Sequence, residues 1–301
     1  MKTSNAVRDS LLTVLAPAVW GSTYLVTTEL LPPDRPLLAS VVRALPAGLI
    51  LVAVGRALPQ GIWWWRALTL GVLNIGAFFY FLFVAAYHLP GGVAALVMSV
   101  QPMIVLLLGV GLLGARIRGI HIVSCVMGAL GVGLLVLQPT AGLDLVGVLA
   151  GLAGAASMAT GLVLTKRWGR PDGVGVLTFT GWQLTVGGAV LLPFMLVREG
   201  LPDVITARNV SGFLYLSVIG ALLAYAVWFR GIEKLPALAV SFLSFASPLA
   251  ATLLGYLVLG QSLSPVQLIG AAVVIAAVVV AQPIRTRRHA ARLNVKPTQS
   301  V

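Results

Sequence analysis

The residues best suited to bind a solute lie beside two prolines that occupy matching positions in the two halves of the chain. Met98 and Gln101 lie beside Pro102, and they share a helical face because helical neighbours recur every three or four residues. At an offset of 146 residues, the matching positions hold Ser244, Ser247 and Pro248. Thioether, amide and hydroxyl groups can contact a small polar molecule, but they form no acid–base pair. We therefore predict a binding site here, with no catalytic residue.

Three further side chains are weaker candidates for the same site. Trp20, Asn74 and Tyr80 each place a polar atom on an otherwise apolar stretch. Amides at mid-membrane depth need partners, so Asn74 and Gln101 can serve either a neighbouring helix or a bound solute. Met98 can fill a packing gap or form the flexible wall of a pocket that accepts several solutes. The sequence leaves these alternatives open.

Arg43 is the one cation placed well inside an apolar stretch. A cation at membrane depth is costly and marks a functional site by default. Arg43 can receive the carboxylate of a substrate, or it can pair with Glu29 or Asp34, which lie towards the same outer side. Arg43 is about two turns from the end of its helix. We therefore favour the ion pair and keep substrate binding as the alternative.

The acidic and histidine residues exclude the usual forms of catalysis. All eight acids lie in loops or at the ends of apolar stretches, and none is three or four residues from a histidine. A membrane enzyme would need clustered carboxylates, a serine–lysine or serine–histidine pair, or a metal set at one depth. A phosphate-binding loop of the Walker type is absent from the sequence. We therefore expect no enzyme, no metal site, no cofactor and no ATP drive.

Two long apolar stretches hold the paired prolines. They read LPGGVAALVMSVQPMIVLLLGVGLLG from Leu89 to Gly114 and LPALAVSFLSFASPLAATLLGYLVLG from Leu235 to Gly260. Each can cross a bilayer, and a proline within a helix removes one hydrogen bond and clashes with the preceding turn. Freed backbone groups must face protein or a wet cavity. Because matched interrupted spans are typical of a transporter's central site, we predict hinges at Pro102 and Pro248; two kinks without function are the alternative.

The composition is that of an integral membrane protein. Of 301 residues, 59% are hydrophobic and 9% are charged, against roughly 25% charged in a soluble domain. The lipid bilayer is therefore the expected partner. A formal net charge of +12 would suggest nucleic acid for a soluble protein, but here the basic residues lie in short loops and the tail. The lone Cys125 excludes an intrachain disulfide.

Ten apolar stretches with short connections are predicted to cross the membrane. They cover approximately residues 11–30, 37–54, 67–87, 92–114, 119–137, 145–165, 174–197, 210–229, 237–260 and 265–281. With a cytoplasmic N-terminus, 16 lysines and arginines fall on the inner side and 3 on the outer side. This bias predicts that both termini are cytoplasmic. It also explains the basic tail, so we expect no nucleic-acid partner.

The two halves are predicted to be inverted repeats. Gln138-Pro139 ends the fifth stretch and Gln282-Pro283 ends the tenth. Five spans per half is an odd number, so the second half enters the membrane upside down. We predict an all-α integral membrane fold in which ten transmembrane helices form two five-helix inverted-topology repeats around a central cavity. The predicted boundaries are 1–10 for the N-terminus, 11–139 and 145–283 for the repeats, and 284–301 for the basic tail.

Several of these residues together resemble a known family. Trp20-Gly21-Ser22, Arg43 and the LP…A…P…LLG cores resemble the EamA-type members of the drug/metabolite transporter superfamily, over about residues 14–283. The likeness is greatest to bacterial ten-span exporters of amino acids, including aromatic ones. It implies ten helices around a central cavity, alternating access, export of small metabolites and a place in the bacterial inner membrane. The family commonly ends spans four and nine with Leu-Gly-Glu, whereas this chain has Gly114-Ala115 and Gly260-Gln261, so no role of that glutamate carries over.

The candidate cavity favours moderately apolar zwitterions as substrates. Its predicted lining is neutral, aromatic and sulfur-containing, and phosphorylated sugars would need several inward cations where only Arg43 is available. We predict a secondary transporter that exports aromatic and other neutral amino acids; a multidrug exporter of amphipathic compounds is the alternative. Because no acid lies mid-span, we expect facilitated movement down the solute gradient. The expected oligomeric state is a monomer.

Overall fold

A computed structural model describes residues 2–89, 91–136, 144–259 and 264–281. Every regular element in these ranges is helical. The α-helices are α1 Lys2–Thr13, α2 Leu15–Trp20, α3 Thr23–Leu30, α4 Pro36–Gly55, α5 Trp63–Gly71, α6 Phe78–His88, α7 Gly91–Met98, α8 Gln101–Leu113, α9 Gly119–Val136, α10 Leu145–Trp168, α11 Val176–Arg198, α12 Ala207–Leu214, α13 Ala224–Lys234, α14 Ala237–Leu243, α15 Ala246–Leu259 and α16 Pro265–Ala281. Two π-helical segments, Val72–Ala77 and Tyr215–Leu223, join α5 to α6 and α12 to α13.

Several sequence features lie outside the described residues. They are Pro90, Gln138-Pro139, Gly260-Gln261, Gln282-Pro283 and the basic tail. The ends of the predicted repeats therefore stay predictions.

Length and apolar composition make eight of the described helical stretches candidates for crossing a membrane. They are Ala6–Leu30, Pro36–Gly55, Trp63–His88, Val93–Leu113, Leu145–Trp168, Val176–Arg198, Ala207–Lys234 and Ala237–Val258. Gly119–Leu134 and Pro265–Ala281 are apolar but shorter. About 20 apolar residues are needed to span a bilayer core. The chain thus has the helices of a multi-pass membrane protein, and the count of ten spans stays a prediction.

The outer surface of the bundle exposes many large apolar side chains. Leu107 on α8 is 69% exposed and Val197 on α11 is 83% exposed. Large exposed apolar surfaces are a liability in water. In a bilayer they face lipid, which is as apolar as leucine.

Two helices are interrupted just before the paired prolines. The first is broken at Ser99–Val100, between α7 and α8, and the second at Ser244–Phe245, between α14 and α15. Pro102 therefore lies in the first turn of α8, where a missing N–H costs no helical hydrogen bond. The predicted interruptions exist, but each lies two to four residues before its proline. Whether Pro102 and Pro248 act as hinges stays a prediction.

Another interruption, which the sequence did not predict, lies at Gly21–Ser22 between α2 and α3. The backbone of α15 approaches closely here, because a Cβ on Gly21 would lie 2.5 Å from the carbonyl oxygen of Ser247. Glycine is therefore required at this crossing. The contact brings the interruption at Gly21–Ser22 beside the one that follows α14.

Corresponding helices of the two halves pack against each other. On one side of the bundle α4 contacts α11, and on the other α9 contacts α16. Glycines allow the close approach: a Cβ on Gly48 would overlap Thr185, and one on Gly131 would lie 2.9 Å from Val274. Such small-residue contacts are the usual means of helix association in a membrane. Contacts between corresponding helices are compatible with a two-fold relation between the halves; the inverted relation itself stays a prediction.

Polar contacts tie the helix ends together at one end of the bundle. The Glu199 carboxylate accepts hydrogen bonds from the backbone N–H groups of Leu37 and Leu38, at 2.7 and 2.8 Å, and so caps α4. The Asp144 carboxylate caps α10 by accepting from the Gly147 N–H at 2.9 Å. This bond, with the nearby His88, holds the pKa of Asp144 below its usual range.

At the other end, the connections are basic. Lys166 Nζ donates to the carbonyls of Ile232 and Glu233, at 2.8 and 3.1 Å, and Arg230 pairs with Asp9 at 2.7 Å. We call this the basic end. Loops that were predicted to share one side of the membrane lie together at one end, although their orientation across a membrane stays a prediction.

Candidate functional site

A central cavity lies where the three interrupted helices meet. Its lining residues are Pro17, Trp20, Tyr24, Arg43, Phe78, Leu82, Ala95, Met98, Ser99, Gln101, Pro102, Met158, Ser244, Phe245, Ser247 and Pro248. Its volume is about 70 Å³, enough for a few water molecules. Ligand pockets usually measure roughly 300–1,000 Å³. An amino acid can therefore enter only if the surrounding helices separate.

The structure brings most of the predicted site residues to this cavity. Six of the candidate side chains line it, together with both prolines: Trp20, Arg43, Met98, Gln101, Ser244 and Ser247. They come from both halves of the chain. Their role as substrate contacts stays a prediction, since the geometry shows only their shared location.

The interrupted segments place backbone as well as side chains at the cavity. Ser99, Ser244 and Phe245 lie in or beside the breaks, where regular helical hydrogen bonding stops, and all three line the cavity. Irregular backbone at membrane depth is tolerated only where protein or water covers it. The central cavity fulfils that condition.

Trp20 forms one wall of the cavity and is held on two sides. Its Nε1 donates to the carbonyl of Gly220 at 3.0 Å. Its ring contacts those of Tyr225 and Trp228, with centroids 4.8 and 5.0 Å apart. Trp20 is thus fixed by packing against the second half, so its substitution would affect the fold as well as any site.

Arg43 is 1% exposed and lines the cavity without an acidic partner. Its Nη2 donates to the carbonyl of Gly220 at 3.1 Å, and its Nη1 lies 3.4 Å from Thr23 Oγ1. The guanidinium carbon lies 4.4 Å from the centre of the Phe79 ring, within range of a cation–π interaction. Its Nε has no hydrogen-bond partner.

The favoured ion pair of Arg43 with Glu29 or Asp34 is therefore wrong. Glu29 instead pairs with Arg208 at 3.1 Å, at the end of the bundle opposite the basic end. Asp34 is exposed on a loop at that same end. Neighbours in sequence suggested the pair, whereas the carbonyl that accepts from Arg43 belongs to Gly220 in the second half of the chain.

Nothing in the sequence indicated that the backbone carbonyl of Gly220 is a hydrogen-bond partner of the candidate site residues. Gly220 belongs to the π-helical segment Tyr215–Leu223, and its oxygen accepts from both Trp20 and Arg43. A π-turn shifts backbone bonding away from the regular pattern and often marks a functional position. The other π-helical segment lies at the corresponding place in the first half. Residue type gives no signal for either.

Asn74 does not line the central cavity. It is fully buried, and its Nδ2 donates to Thr165 Oγ1 at 3.1 Å and to Gln183 Oε1 at 2.8 Å. These bonds join the first π-helical segment to α10 and α11. Of the two interpretations open for Asn74, the structure supports bonding between helices.

Tyr80 also lies away from the central cavity. It lines a separate pocket of about 720 Å³ with Asp34, Tyr87, His88 and Glu199, at the end opposite the basic end. Phe78 and Leu82 from the same helix do reach the central cavity. Tyr80 therefore lies on a different face of α6 from Phe78 and Leu82, and its predicted place in the central cavity is wrong.

Gln101 is the mid-span amide that remains available. It is 7% exposed, lines the central cavity and has no hydrogen-bond partner for its Nε2. An unpaired buried donor is costly, roughly 1–3 kcal/mol. It is therefore a group that a bound solute or a water can satisfy.

Acid–base and metal-binding side chains are absent from the lining of the cavity that the structure describes. Its lining contains neither Asp, Glu, His nor Cys. Groups of three or more potential metal ligands are also absent from the described residues. What the site can do is bind a solute through one cation, neutral polar groups and aromatic faces.

The helices, interruptions and central cavity define a membrane transporter, and comparison with known proteins gives its family. The model of the EamA-like transporter family matches the chain twice, over residues 9–137 and 145–281. The chain belongs to the EamA-like transporter family. It is therefore a multi-pass membrane transporter.

Individual relatives agree with this assignment along most of the chain. Protein PecM of Dickeya dadantii (strain 3937) is 50% identical over 284 residues, which cover 94% of this chain and 95% of PecM. The uncharacterized inner membrane transporter YedA of Escherichia coli (strain K12) is 29% identical over 270 residues, 87% of this chain and 86% of YedA. A crystal structure with 22% identity and a TM-score of 0.75 covers 91% of this chain and 97% of its own, and shows the same fold.

Proposed function

We propose that this transporter exports small metabolites, chiefly aromatic and other neutral amino acids, across the bacterial inner membrane by alternating access. The observation that carries the proposal is the central cavity. Its walls come from interrupted helices of both halves, and they combine aromatic faces, thioethers and neutral polar groups with a single cation. A hydrophobic side chain can contact Trp20, Phe78 and Met158, while a polar end contacts Gln101 and Arg43.

Alternating access is supported by the small size of the cavity and by its position. A site of about 70 Å³ between two halves must widen to admit an amino acid, and in other transporters built from repeats the site opens towards one side at a time. A further cavity of about 610 Å³ lies at the basic end, between α8 and α14. We propose that it is the path by which a solute reaches the central cavity from the cytoplasm.

The orientation is supported by the distribution of charge between the two ends. Among the described side chains the basic end has ten lysines and arginines and three acids, whereas the opposite end has three and five. Positively charged loops remain in the cytoplasm. The basic end is therefore proposed to be cytoplasmic. The similarity to YedA, which is named an inner membrane transporter, supports a location in the bacterial inner membrane.

A multidrug exporter is the alternative, and the apolar share of the lining favours it. Tyr24, Leu82 and Met98 would suit an amphipathic compound. Arg43 opposes the common cationic drugs, because like charges repel at short range in a medium of low dielectric constant. Cationic solutes thus provide the discriminating test.

The proposed experiment measures flux in proteoliposomes that contain the purified protein. Vesicles loaded with unlabelled phenylalanine should take up labelled phenylalanine by counterflow, with saturation and with competition by leucine or tryptophan. A cationic dye should compete weakly. The control variant is Gly111→Ala, because a Cβ at Gly111 has nothing within 4 Å.

The result has two clear forms of failure. Saturable flux of the dye without flux of amino acids would replace the proposal by the multidrug alternative. Absence of saturable flux for every neutral amino acid, in vesicles where the protein is folded, would contradict it outright.

A further inference from the structure

We propose that the central cavity recognises its solutes by a carboxylate, which Arg43 binds, and that it has no recognition for a substrate ammonium group. This rests on the proposed function, which it makes more specific. Monocarboxylates with an apolar body, with or without an amino group, become the substrate class. Cations become the class that the cavity excludes.

The charge inventory of the cavity carries the first step. Arg43 contributes one positive charge, and no Asp or Glu is among the lining residues. The described acids lie elsewhere: Asp9, Glu29, Asp144 and Glu233 form ion pairs with Arg230, Arg208, His88 and Arg170 at the bundle ends. Glu199 caps α4. The cavity thus has an unneutralised cation and no carboxylate that could pair with an ammonium group.

The hydrogen-bonding state of Arg43 carries the second step. A guanidinium has five N–H donors, but its bonds here are one to the Gly220 carbonyl and a long one to Thr23 Oγ1. Its Nε is fully buried without a partner. Gln101 Nε2 is a second unpartnered donor on the same cavity. Both groups are donors without an acceptor. A carboxylate has two oxygens that can together accept about four hydrogen bonds.

The number of cations limits the kind of anion. One arginine balances a single negative charge, whereas phosphates and polyanions carry more and are usually bound by clusters of basic residues. The rest of the lining is aromatic or aliphatic, as in Phe78, Leu82 and Met158. The fitting solute is therefore a monocarboxylate with an apolar body.

The cavity at the basic end agrees with an anionic solute. Its lining includes Arg116, Arg118 and Lys166, but neither Asp nor Glu. It also includes Val105 of α8, one turn beyond Gln101. Channels lined by one sign of charge raise the local concentration of solutes of opposite sign.

The experiment compares four probes that share one apolar body. They are 3-phenylpropionate, its neutral amide 3-phenylpropanamide, the cation 3-phenylpropylamine and phenylalanine. Equilibrium binding to the purified protein is measured together with flux in proteoliposomes. We expect 3-phenylpropionate to bind about 10- to 100-fold more tightly than the amide, the range given by a hydrogen bond to a charged group. The amine should bind least, and phenylalanine should gain nothing from its ammonium.

Four variants locate the effect. In Arg43→Gln the preference for carboxylate over amide should disappear, while binding of the amide persists and shows that the cavity is intact. Arg43→Lys should keep part of the preference. Thr23→Asp should also abolish it, because the new carboxylate would neutralise Arg43. Arg66→Gln is the matched control, since Arg66 contacts the Trp63 ring at 4.9 Å and does not line the cavity.

The outcomes separate this inference from the proposed function. If phenylalanine is transported but the wild type does not prefer carboxylate to amide, or if the preference survives in Arg43→Gln, the inference is wrong and the function stands. If binding shows the preference dependent on Arg43 while no amino acid is transported, the inference stands and amino-acid export is wrong. Failure of all four probes to bind would also overturn the inference.

Discussion

Asn74 and Gln101 are both buried mid-span amides, and their different partners give the sharpest test of how the structure separates fold from function. Asn74 joins three helical segments through Thr165 and Gln183, whereas the Gln101 amide nitrogen has no partner. We expect Asn74→Ala to lower stability and to leave solute preference unchanged. We expect Gln101→Ala to change solute preference and to leave stability nearly unchanged.

The size of the Asn74 effect follows from the bonds that it donates. Hydrogen bonds between membrane helices contribute about 0.6 kcal/mol on average and at most about 1.7 kcal/mol. Removal of Asn74 also leaves Gln183 Oε1, on a fully buried side chain, without its donor at 2.8 Å; such a loss costs about 1–3 kcal/mol. The expected loss of stability is therefore about 1–3 kcal/mol, a decrease of roughly 2–8 °C in Tm for a chain of this size.

The assay is thermal unfolding of the purified protein in one detergent, followed by intrinsic fluorescence at a fixed scan rate. Competition profiles for four neutral amino acids are measured on the same samples. A wild-type Tm for Asn74→Ala together with an altered competition profile would refute the structural role. Gln101→Ala, with an unpaired amide to lose, should keep its Tm within about 1 °C of the wild type.

Gly161 supplies an internal check on the same contact. A Cβ on Gly161 would overlap Asn74 Oδ1 and lie 2.6 Å from Asn74 Cγ, so Gly161→Ala should be destabilising alone. In the Asn74→Ala background both atoms are gone. The double-mutant cycle should therefore show a favourable coupling of about 1–2 kcal/mol. Simple additivity would mean that the two residues do not meet as the structure has them.

Three further predictions concern the helix cap, the contact between the halves, and energy coupling. Glu199→Ala should cost about 0.5–2 kcal/mol by removing the cap of α4, measured by Tm against Glu199→Gln, which retains an acceptor. Gly48→Ala should cost about 1–3 kcal/mol, because the added Cβ would overlap Thr185; Gly111→Ala, in open space, is the control and should show no loss. An imposed pH gradient should not concentrate phenylalanine in proteoliposomes, because the described spans contain no acid at mid-depth; proton-driven accumulation that Glu29→Gln abolishes would contradict this.

The sequence could predict those parts of the site whose residues recur at a fixed spacing in the two halves of the chain. Met98 and Gln101 were found because Pro102 has a counterpart 146 residues later, and the interruption beside each proline follows from the physics of that residue. Both sets do reach one cavity. Composition likewise predicts the membrane class, since few charges and long apolar stretches leave no soluble alternative.

The rest depends on contacts that sequence spacing cannot express. The break at Gly21–Ser22 has no proline after it and arises where the backbone of α15 crosses. Asn74 finds its partners 91 and 109 residues away. The π-turn that frees the Gly220 carbonyl depends on tertiary packing, because its residues are ordinary helix-compatible types. Arg43 was paired with near neighbours in sequence, although its carbonyl partner lies 177 residues away.

The environment of Arg43 explains how a membrane transporter can keep a cation available. A fixed carboxylate beside it would neutralise the charge and compete with any anionic solute. Instead, the charge is shared among one backbone carbonyl, one hydroxyl and the faces of Phe79 and Phe83. These are weaker partners than a carboxylate, so they hold the side chain in place and leave it a net attraction for an anion. Because these partners still bind part of the Arg43 charge, they also favour release of the solute. A transported solute must bind well enough to enter and weakly enough to leave. A carboxylate that Arg43 binds while the halves are closed is therefore compatible with turnover, in a way that a fully paired or fully solvated arginine would not be.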